Sequence, residues 1–201
     1  MYRARHMRAS WGTLAGRLWV DYIFLKDGKV IDLSNVKFPS RRKDEEAVIE
    51  GVKMTLINDD SSRNKTRIAY IEDEDKVRAI VRVRFMNEVV GAKDMKILMA
   101  PVPYDAEVVY GDGVDVRVFY DWKGVIVYMD GQEIVLIGKR PKVSVVTEAG
   151  KLVVSGDTYP IKDDLKLMGF KWDPEKKAWV GEADPDELKE KLVGELGVEL
   201  S

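Results

Sequence analysis

Between Val77 and Phe85 apolar and basic positions alternate: Val77, Ala79, Val81, Val83 and Phe85 share one parity, and Arg78, Ile80, Arg82 and Arg84 share the other. A period of two predicts a strand over Lys76 to Met86 with one face on a core. Gly16 to Leu25 and Lys29 to Leu33 read as the arms of a hairpin, because Asp27-Gly28 suits a tight two-residue turn. Asp44 to Asn58 carries both periods: Val48, Ile49, Val52 and Leu56 fit a helix face, while Val52 to Ile57 alternates. Gly51 and Thr55 weaken a helix, so a strand is expected from near Glu50, then a loop over Asp59 to Asn64 and a strand over Thr66 to Ile71.

Pro101-Val-Pro103 interrupts this pattern and marks a candidate boundary. Beyond it, Glu107 to Tyr110, Asp115 to Tyr120, Val125 to Met129 and Glu133 to Ile137 predict a meander, with turns at Gly111-Asp-Gly113, Trp122-Lys-Gly124 and Asp130-Gly131. Arg140-Pro141 marks a second break, followed by a hairpin of Val143 to Thr147 and Leu152 to Ser155. Pro160 then opens a helix through Leu167, Gly169 stops it, and Phe170 to Trp172 leaves as a strand. Asp173-Pro-Glu-Lys turns the chain and Lys177 to Val180 returns. A last helix opens at Asp184, with Pro185 at its first position and Glu187 at the capping-box position. The predicted fold is mainly β: a barrel-like or sandwich-like body to residue 138, an OB-like barrel among the options and a split near 101–103 among the divisions. A small α+β module of β-β-α-β-β-α order follows over 139–201.

Composition narrows the function classes. With 45% apolar and 34% charged residues, the 201-residue chain reads as soluble and globular. It has no run of about 18 apolar residues, so no membrane partner is expected, and the basic N-terminus lacks a secretory apolar stretch, so a cytoplasmic location is expected. The absence of cysteine removes disulfides, thiolate catalysis and cysteine zinc sites, and His6 is the only histidine. No P-loop, dinucleotide fingerprint or nucleophile elbow occurs, and no cofactor or metal is expected. A single glutamine among abundant Lys, Glu, Arg and Val points to a hyperthermophile, archaeal in origin or from an archaeal plasmid or virus. The formal net charge is −2, yet residues 1–42 hold nine basic residues against three acids, and 139–180 hold nine against six. Local positive surface is therefore expected in both segments.

Three constellations carry candidate chemistry. The first is the pair Trp172 and Trp179 with Tyr159, Lys162, Lys166, Lys171, Lys176 and Lys177. Aromatic faces flanked by cations suit base stacking and phosphate neutralisation, at ~1–3 kcal/mol per stacked base. The alternative is that the tryptophans form the core of a small domain. Second, Arg78, Arg82 and Arg84 lie on one face of a strand and either track a phosphate backbone or pair with acidic neighbours such as Glu72, Asp73, Glu74 and Asp75, or with an adjacent strand. Third, Pro103-Tyr-Asp105 followed by Asp121-Trp-Lys123 copies the order of a metal-dependent nuclease of the PD-(D/E)xK kind, although Trp122-Lys-Gly124 reads as a turn. The N-terminal Arg3, Arg5, His6 and Arg8 read as a loose terminus or an arm along phosphates.

The segment from Gly156 to Trp179, with its glycine-stopped helix, Gly169, Trp172-Asp173-Pro174, Lys177 and Trp179, resembles the small module of HARP domains in annealing helicases. It is also similar to accessory domains of plasmid and phage primase-like and relaxase-like proteins, which share the Gly156-Asp-Thr-Tyr-Pro-Ile-Lys162 lead-in. The resemblance covers about the last quarter of the chain and comes without helicase, Toprim or relaxase motifs. It implies a binding module on nucleic acid and no activity of its own. A non-enzymatic DNA-binding protein acting on single-stranded or junction DNA is the expectation, with a protein partner or assembly role as the alternative.

Overall fold

The computed structural model describes residues 2–9, 18–41, 43–59 and 64–201. Eight strands make the body: β1 (Tyr2–Ala9), β2 (Leu18–Leu25), β3 (Val30–Asp32), β4 (Asp44–Ile49), β5 (Val52–Asn58), β6 (Asn64–Ile71), β7 (Val77–Lys93) and β8 (Lys96–Tyr110). They form one curled half-barrel sheet in the order β4-β5-β6-β1-β2-β7-β8, with β3 paired to β2. Between a barrel and a sandwich, the body is thus an open curled sheet that ends at β4 and β8. The N-terminal segment is neither a loose terminus nor an arm, since β1 runs between β6 and β2, pairing Tyr2 with Ile71 and His6 with Val20. Residues 16 and 17 of the predicted first hairpin, and 60–63 of the predicted loop, lie outside the described residues.

The alternation read in β7 is realised: Val77, Ala79, Val81, Val83 and Phe85 are buried, and the three arginines are half-buried on the opposite face. Ile80 is buried on that second face too, which makes β7 covered on both sides. Two strands depart from the sequence reading. Asp44–Ile49 is a strand, joined to β5 by a turn in which Glu50 and Gly51 have φ of 50° and 76°. Its mostly exposed positions supply no alternating apolar signal, because it is an edge strand. Pro101 and Pro103 do not break the chain; they lie within β8, opposite Asn87 and Phe85 of β7. Among the described strands β8 pairs with β7 alone, so the missing N–H groups of the prolines cost no ladder bond.

A three-stranded meander follows, β9 (Val114–Phe119), β10 (Gly124–Met129) and β11 (Gln132–Ile137), with β10 in the middle. The chain forms two compact units: Met1–Val118 with Val125–Leu136, and Phe119–Gly124 with Ile137–Ser201. The β9–β10 turn therefore belongs to the C-terminal unit, which a linear boundary at residue 138 does not anticipate.

The second unit runs β12 (Lys142–Glu148), β13 (Lys151–Gly156), α1 (Lys162–Leu167), β14 (Lys171–Asp173), β15 (Ala178–Gly181), α2 (Pro185–Gly194) and β16 (Glu199–Leu200). Its sheet has the order β14-β15-β13-β12-β16, with β16 parallel to β12. Ile161, Leu165, Leu188 and Leu192 from the helical segments meet Val143, Leu152, Val154, Phe170 and Trp179 in one core. The α2 start is as its sequence specifies: the Asp184 carboxylate accepts from the Asp186 and Glu187 N–H groups, each at 3.0 Å, above Pro185 at the first position. Among the described residues, no helix is long and apolar enough to cross a membrane.

Candidate functional site

Local bonds hold the tryptophan ribbon in place. A single 3-10 turn, Tyr159–Ile161, leads into α1, and the Phe170 N–H closes the helix on the Leu165 carbonyl at 3.0 Å while Gly169 takes φ of 89°. The chain then reverses into β14. In the following turn the Asp173 carboxylate accepts from the Glu175 and Lys176 N–H groups at 2.9 and 3.1 Å, an aspartate-driven turn that fixes the loop. Lys177 occupies the left-handed position at φ of 49°, and β15 pairs so that Trp172 stands directly opposite Trp179.

The two indoles divide the roles between them. Trp179 is 7% exposed and belongs to the core, whereas Trp172 is 48% exposed and meets it edge-on at 5.6 Å between ring centres. Trp179 is thus not a free stacking face, and Trp172 is. Tyr159 is more open still, at 76% exposure, with the Lys162 ammonium 4.0 Å from its ring centre. One helical turn further on, Lys166 lies 6.0 Å from the Trp179 ring. Tyr159, Lys162, Lys166 and the tryptophan pair therefore form a continuous line along α1 and across β15 to β14.

The lysines differ in their availability. Lys176 donates to Glu148 at 2.7 Å, and that hydrogen bond raises its ammonium above the usual lysine range. Lys166 is 3.7 Å from Asp163. Among the described residues Lys171, Lys177 and Lys162 have no ion pair, and the Lys162 ammonium lies over the Tyr159 ring.

At its Tyr159 end the line meets a pocket of about 340 Å³, lined by Trp122, Tyr159 and Pro160, by the bases Lys123, Lys139 and Arg140, and by the acids Asp121 and Asp157. The pocket was not legible in the sequence, because its residues come from three separated segments. Trp122 is anchored by stacking on Phe119 at 4.8 Å and by donating its indole N–H to the Leu196 carbonyl at 3.2 Å. Gly124 leaves the space the indole fills; any side-chain carbon there would overlap the ring. Arg140-Pro141, read as a break, and Asp121-Trp-Lys123, read against a nuclease pattern, are thus components of one surface. The only usable sequence signal was a tryptophan inside a turn.

The arginine row is arranged otherwise, and in the first unit. Arg78 bonds both carboxylate oxygens of Asp130 at 3.0 and 3.1 Å and the Asp112 carbonyl at 2.7 Å. Arg82 makes a two-point pair with the fully buried Asp21 at 2.7 and 2.9 Å, and that bond raises the guanidinium further above its ordinary value. Arg84 bridges Glu107 and Asp105, each at 2.7 Å, and is raised chiefly by Glu107. The row follows the ion-pairing alternative, with partners from β2, from β8 and from the turns between β8 and β9 and between β10 and β11. Asp105 is committed to Arg84, and Asp121 lies in the β9–β10 turn rather than in a strand. Among the described residues, no three acids or histidines are grouped to hold a metal ion.

Comparison of the chain with protein-family models, with curated proteins and with solved structures gives no match.

Proposed function

We propose that this protein is a non-enzymatic nucleic-acid-binding protein and that its C-terminal unit engages single-stranded or junction DNA. The observation that carries the reading is the pair of exposed rings, Tyr159 and Trp172, with Lys162 and Lys171 beside them and no ion pair to either lysine among the described residues. Exposed rings gain from unpaired bases, whose faces a duplex hides, so unpaired segments are the favoured ligand. Lys171, Lys177 and Lys139 stand ready for phosphates, having no carboxylate among the described residues to surrender first. The overall charge of −2 gives no long-range attraction, so binding rests on these local groups. The resemblance of Gly156 to Trp179 to HARP-like modules points the same way.

Anisotropy of labelled single-stranded, duplex and forked DNA over a salt series tests the reading. Salt-sensitive binding that favours unpaired or forked strands, and that weakens in Tyr159→Ala and Trp172→Ala, is expected. An absence of binding at low salt overturns it. A second reading, a protein-interaction or assembly subunit, is favoured by one observation of its own, an exposed apolar hairpin tip in the first unit.

A further inference from the structure

Among the described residues β2 pairs with β7 from Val77 to Phe85, whereas β7 and β8 continue together to the Lys93–Lys96 pair, turning at Asp94 and Met95 with φ of 50° and 61°. The extension is apolar where it should be polar. Met95 is fully exposed and Ile97 is 68% exposed, and Val89, Leu98 and Met99 are open as well. With Met86 these side chains expose on the order of 600 Å², close to the ~800 Å² that each partner buries in a standard interface.

Backbone parity shows which edge is open. The register shift opposite Met99 and Leu98 places its extra residue on β7, between Val89 and Gly91, so β8 itself runs without a bulge from Lys96 to Pro103 and Ile97, Met99, Pro101 and Pro103 all aim their backbone nitrogens to the same side. The prolines have no N–H to give β7, so that side is the edge away from β7. Pro101 and Pro103 thus guard the base of the edge against strand addition, and the protection stops at the tip, where Ile97 and Met99 present N–H and C=O groups outward.

We propose that this tip is a self-association surface, on which two copies of the chain pair β8 to β8 antiparallel about a two-fold axis at Leu98. Ile97 of each copy then lies opposite Met99 of the other, and the two exchange backbone hydrogen bonds. Ile97 and Met99 cover one face together with Val89, which stands opposite Met99 in β7, and the two Leu98 side chains meet on the other face. Charge favours a second copy over other occupants. Glu88 and Asp94 balance Lys93 and Lys96, so the tip neither repels its own copy nor attracts phosphates. Lipid would leave the open backbone edge without partners. The inference is independent of the DNA-binding reading.

Sedimentation of the full chain from roughly 1 to 100 µM tests it. A concentration-dependent dimer is expected, and Ile97→Glu with Met99→Glu raises its dissociation constant at least tenfold without changing the far-ultraviolet circular dichroism. Because the chain has no cysteine, Leu98→Cys is expected to oxidise to a disulfide-linked dimer, while Val48→Cys, exposed elsewhere on the same unit, is not. Three results overturn the proposal: a monomer at every concentration, a dimer indifferent to the double variant and to the position of the cysteine, or a monomer that floats with phosphatidylcholine–phosphatidylserine vesicles through these same residues.

Discussion

The arginines of β7 and the lysines around α1 both looked like polyanion contacts, and the two regions differ in what their cations already hold. On β7 every guanidinium in the row meets a carboxylate at 2.7 to 3.0 Å, one of them fully buried. Around α1 the cations are less fully held: Lys166 is 3.7 Å from Asp163 and Lys176 bonds Glu148, but Lys162 rests on a tyrosine ring, and among the described residues Lys171 and Lys177 have no acid. A phosphate approaching the first region must displace a carboxylate of comparable strength, and one approaching the second displaces water. The number of cations is therefore a poor guide to a binding face, and their unspent pairing capacity is a better one.

The comparison can be broken first in the cores beneath the two regions. Trp179→Ala removes a buried indole and is expected to destabilise the C-terminal unit by ~3–5 kcal/mol, whereas Trp172→Ala costs less than about 1 kcal/mol, as half-exposed rings do. Chemical unfolding followed by circular dichroism checks both. Arg82→Ala removes the two-point guanidinium partner of the buried Asp21 carboxylate and is expected to cost ~3 kcal/mol, with DNA affinity of the folded protein unchanged. Arg84→Ala, whose partners are open to water, is expected to cost about 0–1 kcal/mol in the same assay.

Binding sharpens the contrast further. Tyr159→Ala and Trp172→Ala are each expected to weaken single-stranded DNA binding by ~1–3 kcal/mol, about five- to 150-fold, at nearly unchanged stability. Lys171→Ala with Lys177→Ala is expected to flatten the salt dependence by roughly 1 to 1.5 in log–log slope, while Arg84→Ala leaves the slope alone.

The smallest effect lies in the ion-pair layout of the body. The Lys53 backbone N–H, at 2.8 Å, and the Lys76 ammonium, at 3.3 Å, hold the Asp73 carboxyl below its usual range. A depressed carboxyl stabilises the fold above its unfolded-state titration, and that contribution disappears as pH falls through the lowered folded-state value. Asp73→Asn should therefore unfold earlier than the parent in urea at pH 7, with the gap closing as the solution is acidified.

Local chemistry made part of this legible. Asp27-Gly28, the glycine stop at Gly169, the Asp173 turn and the Asp184 cap each specify their own few residues, because the bonds concerned span four positions or fewer. β4 escaped detection because an edge strand with mostly exposed positions shows no apolar alternation. β8 was misjudged at its prolines because their cost depends on whether a neighbour needs the N–H, and the sequence does not name neighbours. For the candidate site, the sequence indicated the aromatic and basic residues but not which indole was open. The 172–179 pairing sets the two rings opposite each other, and only the packing of α1 and α2 beneath the sheet decides which is covered.

The sequence by itself determined a mainly β chain, a C-terminal α+β module, its caps and turns, and a local excess of lysine beside aromatic residues. Those features depend on short-range periodicity and backbone preference, which survive without tertiary contacts. Tertiary structure alone decided that the arginine row is already paired, that Trp122 joins Tyr159 around a pocket, and that the β8 edge opens at Leu98. The first two depend on partners 20 or more positions away in the chain and the third on where the neighbouring strands end, and such relations are properties of the packed fold that no local pattern records.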